Sequence, residues 1–107
     1  IGGMGDNSNR SFWTNISNSN SFISFDLAFS SYKGEQLTDY LTDFDSDFRN
    51  IVYSEIAKRK PSDFNGSKGR KSLLDDIKEQ FNSYLLKKDL DPIIFGVHYK
   101  VFAITER

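Results

Sequence analysis

Six residues, Gly66-Ser67-Lys68-Gly69-Arg70-Lys71, have the composition of a phosphate-binding loop opening a helix. A P-loop needs Gly, four residues, then Gly-Lys and Ser or Thr, so that successive N–H groups cradle the phosphates and the hydroxyl reaches magnesium. Here the glycines are three apart and Gly69 is followed by Arg70. The stretch is therefore read as a loop and helix start with solvent-facing bases. Asp43, Asp45 and Asp47 alternate as in the opening of an EF-hand. The central glycine of that loop is replaced by Phe48 and its final Glu by Ser54, so calcium is not expected. His98 is the single histidine and has no second ligand or orienting acid in sequence. Asp75, Asp76 and Glu79 share a helix with Lys71 and Lys78, the ordinary setting of surface ion pairs. No constellation carries catalysis, and no cofactor or metal is expected.

With no cysteine in 107 residues, thiol catalysis, disulfides and zinc-thiolate sites are excluded. A formal net charge of −1 argues against non-specific binding to nucleic acid or anionic lipid. Aromatic residues are absent from the basic stretch apart from Phe64, which removes the stacking platform a single-strand binder needs. The charge is nonetheless segregated. Residues 35–47 carry Glu35, Asp39, Asp43, Asp45 and Asp47 and no base, while residues 58–71 carry Lys58, Arg59, Lys60, Lys68, Arg70 and Lys71 against Asp63.

The elements that position these groups follow from periodicity. Residues 1–18 are read as a linker or edge segment after a membrane anchor outside the sequence, with residues 11–16 a short edge strand. Trp13 and Phe12 there either pack on the sheet or anchor a partner. Residues 19–107 form one domain. Residues 21–30 alternate, with Ile23, Phe25, Leu27 and Phe29 on one side, as a half-buried strand requires. Leu37, Tyr40, Leu41, Phe44, Phe48, Ile51, Val52 and Ile56 recur at three and four, one stripe of a helix over 35–60 that bends or splits near Asp43–Asp47. Pro61 ends it. A second helix covers 69–87. Residues 92–104 are apolar on both alternating faces, which points to a central strand. The fold class is α+β: a small, mostly antiparallel sheet packed against two or three helices.

The order of these pieces resembles the periplasmic domain of the FliL family of flagellar basal body-associated proteins. SFISFDLAFS is similar to its first strand, and EQLTDYLTDFDSDFRNIVYSEIAKRK to its acid-and-leucine helix. In the middle, Phe64, Ser67-Lys68-Gly69-Arg70 and Phe81-Asn82-Ser83-Tyr84-Leu85 fall on that family's "-L…-EGK-…-IN-LL" pattern, and PIIFGVHYKVFAI lies at its closing strand. The resemblance covers about residues 20–104. Lys68 in place of Glu, and Gly96-Val97-His98-Tyr99 in the last strand, mark a divergent member. The resemblance implies a stomatin/prohibitin-like fold and no enzymatic activity. It also implies a single-pass helix in the bacterial inner membrane preceding this domain, which would lie in the periplasm. It further implies a ring around the stator proteins MotA/MotB that supports stator engagement and torque. On that footing the expected protomer contact sets Asp43, Asp45 and Asp47 against Lys58, Arg59, Lys60, Arg70 and Lys71. The alternative is an extracytoplasmic protein-binding domain unrelated to motility. Nucleic acid is not an expected partner in either case.

Overall fold

A computed structural model describes residues 4–16 and 19–106 of the chain. The elements run β1 (Met4–Asn15), β2 (Ser21–Ser31), α1 (Gly34–Asp43), α2 (Asp45–Ala57), a short 3-10 turn (Pro61–Phe64), α3 (Ser67–Lys87) and β3 (Ile94–Glu106). The three strands form one antiparallel sheet in the order β1-β2-β3, with the helices on one face. The fold is α+β, as the periodicities require.

β2 is the centre of this sheet. Ile23, Phe25, Leu27 and Phe29 are buried against the helices, and the intervening residues face the other way. Phe12 stacks on Phe25 with ring centroids 5.4 Å apart. On the opposite face Trp13 stacks on Phe22 at 4.8 Å, yet remains 61% exposed. β1 reaches back to Met4, well before the expected start at residue 11. Its early residues have little apolar alternation; hydrogen bonding to β2 carries the strand there.

The expected long helix is divided at Phe44, whose backbone (φ −115°, ψ 24°) lies outside helical geometry. Both halves keep the apolar stripe. Leu37, Tyr40 and Leu41 are buried on α1, and Phe48, Val52 and Ile56 on α2. Phe48 sits at the middle of the core, 4.3 Å from Phe81, 5.0 Å from Phe29 and 6.4 Å from Phe12 between ring centroids. Such tilted and edge-on pairs add to the burial itself. α2 ends at Ala57, and Pro61 opens the 3-10 turn instead of closing the helix.

β3 is an edge strand, not the central one. Its apolar character on both alternating faces has another cause: the register shifts at Lys100. Before the bulge Val97 and Tyr99 lie beside the buried Phe29 and Leu27; after it Phe102 and Ile104 lie beside Phe25 and Ile23. A bulge reverses which parity faces inward, so inward positions of both parities must be apolar. Phe95 and Val101 stay exposed, at 43% and 56%.

Candidate contact surface

The acidic residues cluster where α1 gives way to α2. Asp43 ends α1, and Asp45 and Asp47 lie in the first turn of α2, where the helix dipole favours negative charge. Asp45 accepts a hydrogen bond from Arg49 Nε at 3.2 Å. Asp47 accepts one from the Tyr84 hydroxyl at 2.5 Å, which joins the start of α2 to the end of α3. Burial, then this bond and the charge of Asp47, push the Tyr84 phenol up to about 12. Asp43 is exposed. The alternating acids do not converge. Among the described residues, no group of three His, Cys, Asp or Glu side chains is placed to hold a metal ion.

The bases divide into two kinds. Lys58, Lys60 and Lys71 are exposed; Lys58 pairs with Glu55 at 2.9 Å and Lys71 with Asp75 at 2.9 Å. Arg59 and Arg70 are turned into the fold. Arg59, with its side chain 11% exposed, donates to the Glu55 carboxylate at 3.2 Å and to the Glu55 carbonyl oxygen at 2.7 Å. It also reaches Asp76 on α3 at 2.5 Å. Arg70 donates from Nε to the Phe64 carbonyl at 2.9 Å and lays its guanidinium 4.4 Å from the centre of the Phe102 ring. The Arg70 carbonyl in turn accepts the Tyr99 hydroxyl at 2.9 Å. Burial pushes Tyr99 up to about 12, against the opposing pull of Arg59 and Arg70.

Glu55 was not anticipated. It is buried, and both carboxylate oxygens are engaged by Lys58 and Arg59. The signal was its place on the stripe: it follows Val52 by three and Phe48 by seven, a core-facing spacing. Asp76 was expected among surface pairs, but joins Arg59 across the helix interface. Glu55, Lys58, Arg59, Asp63, Asp76 and Gln80 line an open groove of about 480 Å³. Its charges are matched within the protein, so their evident effect is to clamp α2 to α3.

The loop-like stretch Gly66–Lys71 resolves in the same way. α3 begins at Ser67 after Gly66. A Cβ on Gly69 would lie 1.8 Å from the Asp63 carbonyl oxygen. Gly69 is a close-approach residue that seats the first turn of α3 on the 3-10 turn, and Arg70 beside it is committed to the interior. His98 is exposed and folds over Gly96, with Nε2 3.5 Å from Ser30 Oγ.

Asp43 lies on α1, Lys60 beyond α2 and Lys71 on α3, while Asp45 and Asp47 at the start of α2 and Lys58 at its C-cap are about 20 Å apart at 1.5 Å per residue. They cannot meet within one protomer. The class so defined is a small two-layer α+β domain with partly buried charges used to join helices and further charges on its surface. The model for the flagellar basal body-associated protein FliL matches residues 7–104, and the chain belongs to the FliL family. That span includes most of β1, so it begins earlier than the motif-by-motif resemblance. No curated protein matches the chain. The family is one of flagellar accessory proteins, which associates this chain with the flagellar basal body. Among the described residues no helix is long and apolar enough to cross a membrane.

Proposed function

We propose that this domain is a flagellar motor accessory that self-associates into a ring around MotA/MotB stator units and supports their engagement and torque. In this reading it lies in the periplasm and is held to the inner membrane by a preceding helix. The family membership supports the motor setting. The observation that supports the self-association is the separation of the acids at the α1–α2 junction from Lys58, Lys60 and Lys71 near the end of α2 and the start of α3. An acidic end on one copy facing a basic end on the next makes a heterologous contact, and such contacts close into rings when the rotation permits. Asp43, Asp45 and Asp47 face Lys58, Lys60 and Lys71 in this contact, while Arg59 and Arg70 keep the basic end in shape. Membrane anchoring raises the effective concentration of contacts that are individually weak.

The experiment is to count fluorescent MotB at motors in cells with and without the gene. Occupancy should fall on deletion and return with the membrane-anchored protein. Unchanged occupancy and torque would overturn the reading and leave a contact domain acting elsewhere in the basal body.

A further inference from the structure

Among the described residues, β3 has no neighbouring strand on its second side. The fold closes that edge at one residue. Asn82 on α3 donates from Nδ2 to the Ile94 carbonyl at 2.8 Å, and the Ile94 N–H donates to Asn82 Oδ1 at 3.2 Å. A side-chain amide thus supplies the pair of bonds that an adjacent antiparallel strand would supply. No comparable cap is seen among the described residues from Phe95 to Tyr99, a strip bounded by register shifts at Phe95 and at Lys100.

Beside this open strip lies a groove of about 250 Å³ between α3 and β3, lined by Lys71, Leu74, Lys78, Phe95, Val97 and His98 together with Asp75 and Gly96. Its floor is apolar, and its rim carries Lys78 and the Lys71–Asp75 ion pair, a net positive charge of one. Phe95 is exposed and packs 4.7 Å from the exposed Tyr32 ring, extending the apolar surface past the groove. We propose that the Phe95–Tyr99 edge accepts a short extended segment of a partner protein as an added strand. Alternate apolar side chains of the segment enter the groove, and its carboxylates face Lys71 and Lys78.

Backbone pairing supplies affinity in this mode and alternate side-chain pockets supply selectivity. Charge decides the occupant. Pairing the β3 edges of two copies would bring Lys71, Lys78 and Lys100 of both together, a like-charge juxtaposition. The other free edge of the sheet is interrupted, because Arg49 Nη1 already donates to the Ser11 carbonyl of β1 at 3.1 Å. An acidic, apolar-alternating peptide meets neither obstacle. The inference does not rest on the stator reading, since it concerns binding by the isolated chain.

The test uses a short acetylated peptide alternating Glu and Val, its Lys-Val counterpart, and a Glu-Val peptide N-methylated at alternate residues. Binding is followed by amide chemical shifts of the purified chain. The Glu-Val peptide should bind, with shifts gathered at Phe95–Tyr99 and on the facing turn of α3, and the other two should not. Lys71→Glu with Lys78→Glu, both on the outer side of α3, should weaken binding about tenfold with the rest of the spectrum unchanged. Equal binding of the Glu and Lys peptides, or shifts away from β3, would overturn the proposal. So would the same β3 shifts appearing with protein concentration alone, which would give the edge to a second copy. Stator counts are not read in this assay, so failure here is distinct from failure of the motor reading.

Discussion

Gly66 and Gly69 flank the start of α3 under opposite constraints. Nothing lies within 4 Å of a Cβ placed on Gly66, whereas on Gly69 it would strike the Asp63 backbone. Gly69→Ala is therefore expected to destabilise by about 1–3 kcal/mol, the usual cost of overpacking, and Gly66→Ala to change little. Urea unfolding of the two variants decides it. Equal midpoints would remove the close-approach role. The two raised phenols make a second prediction. Tyr84 and Tyr99 hold their protons more tightly folded than unfolded, where the ordinary value is 10.0. Their contribution is complete below pH 10 and is lost as pH rises from about 10 to about 12, because the unfolded chain ionises first. Urea midpoints measured across that range should fall. Tyr99→Phe should lower the midpoint at neutral pH, through loss of the bond to the Arg70 carbonyl, and make the alkaline decline shallower.

Asn82 acts at the scale of elements, since one side chain joins α3 to the first residue of β3. Asn82→Ala strands the Ile94 N–H and carbonyl and is expected to cost about 1–3 kcal/mol. Hydrogen exchange at Ile94 should accelerate more than at Phe25 or Leu27 in the sheet centre; uniform acceleration would mean that Asn82 is merely a packing residue. Element types were legible in the sequence where one face alone carries the pattern. β2 alternates cleanly because one side meets helices and the other does not. The helical stripe was legible too, and so was a bend or split near Asp43–Asp47; that Phe44 makes a full break was not, since Leu41, Phe44 and Phe48 keep helical spacing across it. β3 was misplaced because a bulge and two-sided burial leave the same apolar pattern. Arg59 and Arg70 read as free bases, because the backbone carbonyls of Glu55 and Phe64 that bind them carry no sequence signal and Asp76 comes from another helix.

At the scale of the whole molecule, the proposed protomer contact predicts its own rescue. Reversing Asp43, Asp45 and Asp47 to Lys should weaken self-association of the membrane-held protein by about threefold to tenfold, as expected for a few exposed ion pairs. Some destabilisation will accompany it, because Asp47 holds Tyr84 and Asp45 holds Arg49. Lys60→Glu should weaken association without that loss, whereas Lys58→Glu would also set a second carboxylate against the buried Glu55. Cross-linking in membranes that contain both reversed forms should recover the contact, since acids and bases again face each other across one interface. No recovery would remove the contact.

The order β1-β2-β3 also has a consequence in time. The strand that completes the sheet is made after the other two, and Ile23, Phe25, Leu27 and Phe29 border it throughout their length. Until residues 94–104 are available, the chain holds two strands and three helices with one side of its apolar centre open. Synthesis up to residue 93 therefore leaves the domain unclosed, and closure waits for β3 to emerge. Protease sensitivity of stalled nascent chains should persist up to the final strand and fall sharply once it emerges. A premature stop at residue 93 would yield no domain at all.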